Sequence, residues 1–323
     1  MTSTSATSAS TVRGLLVIAF GGPHKIEDVR PFLRNVLEGR PVPEERFESV
    51  VHHYELLGGS SPITAHTERQ AELLSRELAA RGHPLEVRVG MRHWSPWLKD
   101  SLEAFRAGGH REVFGLIMAA QETEASLARY VAAVEKARAE LGADAPVLRL
   151  VRGFGLSDAV VEAHVEHLEQ ALATLPSARR ARAEVLFTAH SIPQAMASGS
   201  PYVSQLDETT RRVAARFDLC GRSSLVYQSR SGNPREPWLE PDVLDALTAA
   251  KQRGVEDVVA LPIGFLCDHV EVLYDLDIEA RRHAESLGLG FVRASTLGTH
   301  PAFIRALADS VIAAVHSEQR EVP

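Results

Sequence analysis

Three carboxylates fall at i, i+4 and i+8 in the segment VEVLYDLDIEA: Glu271, Asp275 and Glu279. On a helix that spacing stacks them along one face about one turn apart, where like charges repel. A bound cation or a moving proton relieves the repulsion, so the row suggests ion or proton handling. The bland reading is a solvated acidic face near a helix N-terminus, which the macrodipole favours. Asp268 and His269 weigh against it, because they stand at the strand-to-helix turn just before the row, where α/β proteins present residues to ligands.

A second chemical position is His190, which the apolar run LFTAHSIP delivers to a turn closed by Pro193. A histidine there titrates near neutral pH and acts as a base or a metal ligand, although alone it is more often structural. Ser191 follows it. The loop YQSRSGNPREPWLEP holds Arg230, Arg235 and Trp238, cations for carboxylates and an indole for a flat ligand, or else an ordinary surface loop. In YELLGGSSPIT, Tyr54, Ser60 and Ser61 suit a mobile rim before a helix that Thr64 caps.

The elements that must position these residues alternate. Short runs rich in Val, Ile, Leu, Ala and Phe begin near Gly14, Leu85, Val113, Val147, Val185, Ser224, Asp257 and Gly290, with stretches of helical period between them. That pattern predicts an α/β fold of parallel strands joined by crossover helices. Eight strands suit two doubly wound, Rossmann-like units of four strands each, over 13–145 and 146–298, with a last helix in 299–323 packing back on the first unit. One large sheet is the competing layout. Functional loops then gather at the carboxyl ends of the strands, in a cleft between the units.

Composition narrows the class. The 323 residues are 45% hydrophobic and 24% charged, with a net charge of −7, as in a globular protein. Cations are dispersed rather than striped, which argues against nucleic acid. No apolar run nears the roughly 20 residues of a membrane span. The small polar residues 1–12 read as a loose tail without features of a targeting signal. Two cysteines, Cys220 and Cys267, support neither a disulfide framework nor a four-thiolate iron-sulfur cluster, and a reducing cytoplasm is the expected location. Cys267 reads as a small buried residue.

Taken in order, LLVIAFGGP, YELLGGSSPI, FTAHSIP, YQSRSG with PWLEP, GFLCDHVEVLYDLD and THPAFIRAL resemble the ferrochelatase family across about residues 13–315. The resemblance implies a chelatase-like pair of units with a porphyrin between them. It implies a lyase of haem biosynthesis in which ferrous iron is a substrate and no redox cofactor is required. The family's catalytic His and Glu map to His190 and Glu271, expected on opposite walls. Either passes protons or holds metal, and Glu271, Asp275 and Glu279 form a path for metal inward or protons outward. Asp275 and Glu279 are candidates for a hydrated divalent cation such as Mg2+. Phe20, Tyr54, Ser60, Ser61, Ser191, Arg230, Trp238 and His269 are the expected porphyrin contacts, with Phe20 and Trp238 gripping and bending the ring.

The sequence departs from the family at three places. Phe20 replaces a tyrosine of many bacterial relatives, Leu37-Glu38 lacks an arginine pair, and MAAQETEAS lacks a Pro-x-aromatic-Ser motif. These departures leave protoporphyrin IX and coproporphyrin III both open. Expected partners are porphyrin and iron, neighbouring haem-pathway enzymes, and at most a peripheral membrane contact. Competing functions are a chelatase for another metal or tetrapyrrole, and a porphyrin or haem carrier without turnover.

Overall fold

A computed structural model describes residues 13–121, 123–219, 221–231 and 235–319. The expected tail 1–12, Cys220 and residues 320–323 of the expected last helix lie outside them. The strands are β1 (Arg13–Ala19), β2 (Glu86–Met91), β3 (Glu112–Ile117), β4 (Val147–Val151), β5 (Glu184–His190), β6 (Ser223–Gln228), β7 (Asp257–Leu261) and β8 (Gly290–Arg293). They form two four-stranded sheets, ordered β2-β1-β3-β4 and β6-β5-β7-β8, with every pairing parallel. The single-sheet layout is thereby excluded.

Sequence explains which strands are central. β1, β5 and β7 are near-continuous apolar runs, as strands covered on both faces must be. β2 and β4 alternate between exposed and half-buried residues along most of their length and lie at the edges of the first sheet.

The first sheet is wound by α1 (Ile26–Leu37), α2 (Glu44–Leu56), α3 (Ile63–Ala80), α4 (Leu98–Ala107) and α5 (Glu124–Leu141). α6 (Asp158–Ala173) leads to the second sheet, followed by α7 (Ser177–Arg180), α8 (Gln194–Ser198), α9 (Tyr202–Ala214) and α10 (Val243–Gln252). The acidic segment is a composite helix: α11 (Val270–Val272), a π-helical stretch Leu273–Ala280, and α12 (Arg281–Ser286). α13 (Pro301–Gln319) packs on α3 of the first unit and on α6. Phe303 and Leu307 of α13 share one core with Leu74 and Leu78 of α3 and with Leu15 and Leu116 of the first sheet.

Two local expectations change. α2 occupies a stretch without a predicted element, so Tyr54 ends a helix instead of starting a loop. The basic stretch TLPSARRAR, 174–182, reads in sequence as a surface loop, but it contains the short α7.

In both sheets the chain moves outward to one side of its first strand and then returns to the other. The strand order therefore reverses between β1 and β3, and between β5 and β7. In doubly wound sheets the crevice at the carboxyl ends beside such a reversal is where ligands sit.

Candidate active site

His190 is the last residue of β5, and Glu271 opens the helix after β7, so the pair straddles the reversal in the second sheet. The imidazole Nε2 is 3.8 Å from Glu271 Oε2. His190 Nδ1 lies against the Ser191 carbonyl. A carbonyl only accepts, so Nδ1 carries a proton, and Nε2 is the ring nitrogen turned toward the carboxylate. The Tyr202 hydroxyl donates to the His190 carbonyl at 2.9 Å and holds the strand end. Gly264 completes the seat, since a Cβ there would stand 2.7 Å from Ala189 Cβ.

The spacing places this pair differently from the sequence expectation of opposite walls. Groups gripping the two faces of a flat ring must stand about 7 Å apart, two carbon contacts of about 3.5 Å each. At 3.8 Å His190 and Glu271 cannot enclose a macrocycle. Both come from the second unit, at the carboxyl ends of neighbouring strands.

Behind Glu271 the row continues, but with π rather than α geometry over Asp275 and Glu279. Four α-helical residues overshoot a full turn by about 40°. The wider π turn makes the fourth residue lag instead, so the combination holds the carboxylates nearer one line. Asp275 is gripped by the Ser229 hydroxyl and, at 3.4 Å, by the Gln228 amide, which also reaches the Glu271 carbonyl at 3.5 Å. Burial, opposed by the Ser229 hydrogen bond and aided by the charges of Glu271 and Glu279, pushes Asp275 up to about 7. Burial and the neighbouring Asp242 also raise Glu279.

The first unit faces this row with α1, α2 and the end of β1. Tyr54 and His53, in the last turn of α2, feel the charge of Glu271. The His53 ring stacks on Tyr274 with centroids 3.5 Å apart and planes inclined by 12°. Val270 packs into the cluster of Val29, Phe32, Val51 and Tyr54. Phe20, 36% exposed, has its ring 4.5 Å from His93 and 6.3 Å from Phe32. Burial brings His93 down to about 4, which keeps that ring neutral.

The sequence profile of the family described as Ferrochelatase matches residues 12–315. The chain belongs to the ferrochelatase family. A ferrochelatase of Rhodopirellula baltica is 41% identical, over 90% of this chain and 82% of that one. A coproporphyrin III ferrochelatase of Nocardia farcinica is 41% identical, over 91% of this chain and 86% of that one. The structure of SirB from Bacillus subtilis with Fe3+ has 10% identity and a TM-score of 0.59, covering 96% and 98% of the two chains, which shows a shared fold. The reaction is insertion of iron into a porphyrin, in haem biosynthesis.

The other residues expected to contact a porphyrin differ in their surroundings. The Ser191 hydroxyl turns inward and donates to the Leu239 carbonyl at 2.9 Å, so Ser191 ties the loop to the strand end instead of facing a ligand. Trp238 is also buried, bridged to Pro193, and its indole N–H meets no partner among the described residues. Arg230 is exposed and donates to the Glu236 carbonyl at 3.3 Å; residues 232–234 of its loop lie outside those described. His269 sits edge-on to Phe265, 5.3 Å between centroids, and desolvation lowers its pKa. Ser61 is buried and anchored through its N–H to Pro23, while Ser60 is half-buried beside it.

At the lost arginine pair, Glu38 instead neutralises Arg92 through a 2.7 Å contact. Burial pushes the Cys267 thiol up to about 12, so it stays protonated and unreactive. Among the described residues no three His, Cys, Asp or Glu groups converge on a point that would cage a cation. No described helix is long and apolar enough to cross a membrane. A groove of about 670 Å³ between α4 and α5, lined partly by Arg92, Lys99, Arg129 and Lys136, shares no residue with the candidate site. Sequence reading passed over Gln228, Ser229, Tyr202 and His53. The first two lie in a loop it singled out, but for its arginine and tryptophan.

Proposed function

We propose that His190 and Glu271 take the two pyrrole protons from one face of coproporphyrin III while ferrous iron binds the ring nitrogens, and that Asp275 and Glu279 carry those protons to solvent. The observation that supports this most is the 3.8 Å approach of the His190 Nε2 to the Glu271 carboxylate. Two bases face each other there, so a proton arriving on either is stabilised by both.

Metallation replaces two N–H protons by one dication, leaving the macrocycle neutral and releasing two protons. His190 Nε2 accepts one and Glu271 the other. Regeneration needs a further acceptor of matched affinity, and a carboxyl near 7 is half-protonated at neutral pH. The row is better suited to protons than to a resident Mg2+, because its carboxylates are spaced as successive stops and Asp275 is already engaged by Ser229 and Gln228. Phe20 and Tyr54 then bear on the opposite side of the ring, and the charge of Arg230 acts on Asp242, the neighbour of Glu279 at the end of the row. Coproporphyrin III as the porphyrin is supported by the 41% identity to the coproporphyrin III ferrochelatase of Nocardia farcinica.

The test is anaerobic metallation followed by absorption, with ferrous iron and each porphyrin in turn. Coproporphyrin III should give the higher kcat/KM, by about tenfold or more. His190→Ala should abolish turnover and Glu271→Gln nearly so, with porphyrin binding retained in both. Wild-type turnover in either variant refutes the pair, a preference for protoporphyrin IX refutes the substrate, and a spectral shift without turnover in the wild type indicates a carrier.

A further inference from the structure

Two buried glutamines of the first unit reach across to backbone of the second. Gln70, on α3 and 1% exposed, donates through its amide nitrogen to the Gly298 carbonyl at 2.7 Å and to the Leu266 carbonyl at 3.3 Å. Leu266 also accepts from the Gly298 N–H at 2.8 Å, so a single amide joins α3, the loop after β7 and the approach to α13. Gln121, just beyond β3, donates to the Ile263 carbonyl at 3.4 Å. Ile263 and Leu266 lie in the loop that ends at His269, just before the helix carrying Glu271, and Gly264 of that loop packs on Ala189 beside His190.

Burial of α3 does not require a glutamine there. Ala71, Leu74 and Leu78 already bring the helix into the shared core, and apolar contacts tolerate sliding. Hydrogen bonds from one planar amide to two carbonyls do not, because a buried and satisfied polar group specifies one arrangement. α3 begins directly after the Ser60-Ser61 rim, so its position moves that rim.

We infer that Gln70 is a positioning residue for iron insertion. It fixes the loop leading to the helix that carries Glu271 at a set distance from the wall carrying Phe20 and Tyr54, and so sets the depth at which the macrocycle meets His190 and Glu271. This rests on the proposal that the porphyrin lies between those walls. It predicts an effect on porphyrin rather than on iron, since small displacements of a reacting ring are costly while a small ion follows its ligands.

The experiment uses the full chain carrying Gln70→Leu or Gln70→Glu, with porphyrin and iron varied separately. Gln70→Leu should raise the porphyrin KM about tenfold and lower kcat, with the iron KM within about twofold of wild type. Gln70→Glu should match it at alkaline pH, where a carboxylate faces two carbonyls. It should recover relative to wild type on acidification, when the protonated carboxyl donates one hydrogen bond. An unchanged porphyrin KM in Gln70→Leu, a parallel rise in both KM values, or absence of acid recovery in Gln70→Glu overturns the inference; if Gln70→Leu does not fold, the recovery alone decides. If His190→Ala and Glu271→Gln turn over normally while Gln70→Leu raises the porphyrin KM, the catalytic pair fails and the positioning role stands.

Discussion

The Ser229 hydroxyl donates to Asp275 Oδ2 from a residue held at φ 62°, a left-handed conformation that costs a non-glycine residue about 1–3 kcal/mol. That strain aims the hydroxyl at the middle carboxylate of the row. Hydrogen bonding to the charged form lowers a carboxyl pKa, so removing the bond must raise Asp275 further above about 7. Ser229→Ala should therefore leave more Asp275 protonated at neutral pH and move the acid limb of the kcat profile upward by about one pH unit, ~1.4 kcal/mol. An acid limb that does not move takes Asp275 out of the proton path.

Gly264→Ala tests the seat of His190. The added Cβ would meet Ala189 Cβ at 2.7 Å and Ala189 Cα at 2.9 Å, and backbone cannot swing aside as a side-chain tip can. Overpacking of this kind costs about 1–3 kcal/mol. Denaturant unfolding should show that loss, with a fall in kcat because the strand end carrying His190 moves against Glu271. Ala189→Gly in the same chain should restore part of both; independent, additive losses would mean that the two residues do not communicate.

How much of this was legible in sequence depended on whether each feature announces itself by hydrophobicity. The central strands did, because Leu15 to Ala19 and Val258 to Leu261 are buried on both faces and read as unbroken apolar runs. α2 did not: only Val51 and Tyr54 are buried among EERFESVVHHYEL, so its apolar stripe is too thin to register as a period. A four-residue spacing suits α and π turns alike, so the Glu271–Asp275–Glu279 row was visible but its helix type was not. His190 and Glu271 stood out by residue type and position and were paired by the family resemblance, yet their 3.8 Å approach depended on strand order, which sequence does not display. Gln70 was illegible because a polar residue on an amphipathic helix reads as solvent-facing; only the fold reveals two carbonyls waiting beside it.

His164 gives the protein an acid-sensitive joint. It is fully buried in α6, neither ring nitrogen meets a hydrogen-bond partner among the described residues, and His167 and His300 add repulsion to its charged form. Desolvation, the larger cause, brings it down to about 3. The folded pKa is thus below the unfolded value of about 6.5, so its contribution is complete above pH 6.5 and is lost as pH falls toward 3. Between pH 7 and pH 5 this one site should cost ~2 kcal/mol. His164→Leu should flatten that part of the stability curve in denaturant titrations at several pH values. An unchanged slope would place the acid sensitivity elsewhere.

The stack of His53 on Tyr274 joins the α2 wall to the π-helical stretch, and its effect separates from titration by choice of replacement. Burial, reinforced by His52 and opposed by Glu271, lowers His53, so the ring is neutral at pH 7 and contributes as a flat surface. An aromatic pair of this kind is worth about 0.5–1.5 kcal/mol. His53→Phe keeps the surface and should retain wild-type kinetics. His53→Ala loses it, frees the end of α2 from the helix bearing Glu271, and should raise the porphyrin KM by up to about tenfold, the equivalent of ~1.4 kcal/mol. Steady-state kinetics on both variants decides between the roles, because a phenylalanine variant as impaired as the alanine one would mean that the imidazole nitrogens, not the stacked face, are what the site uses.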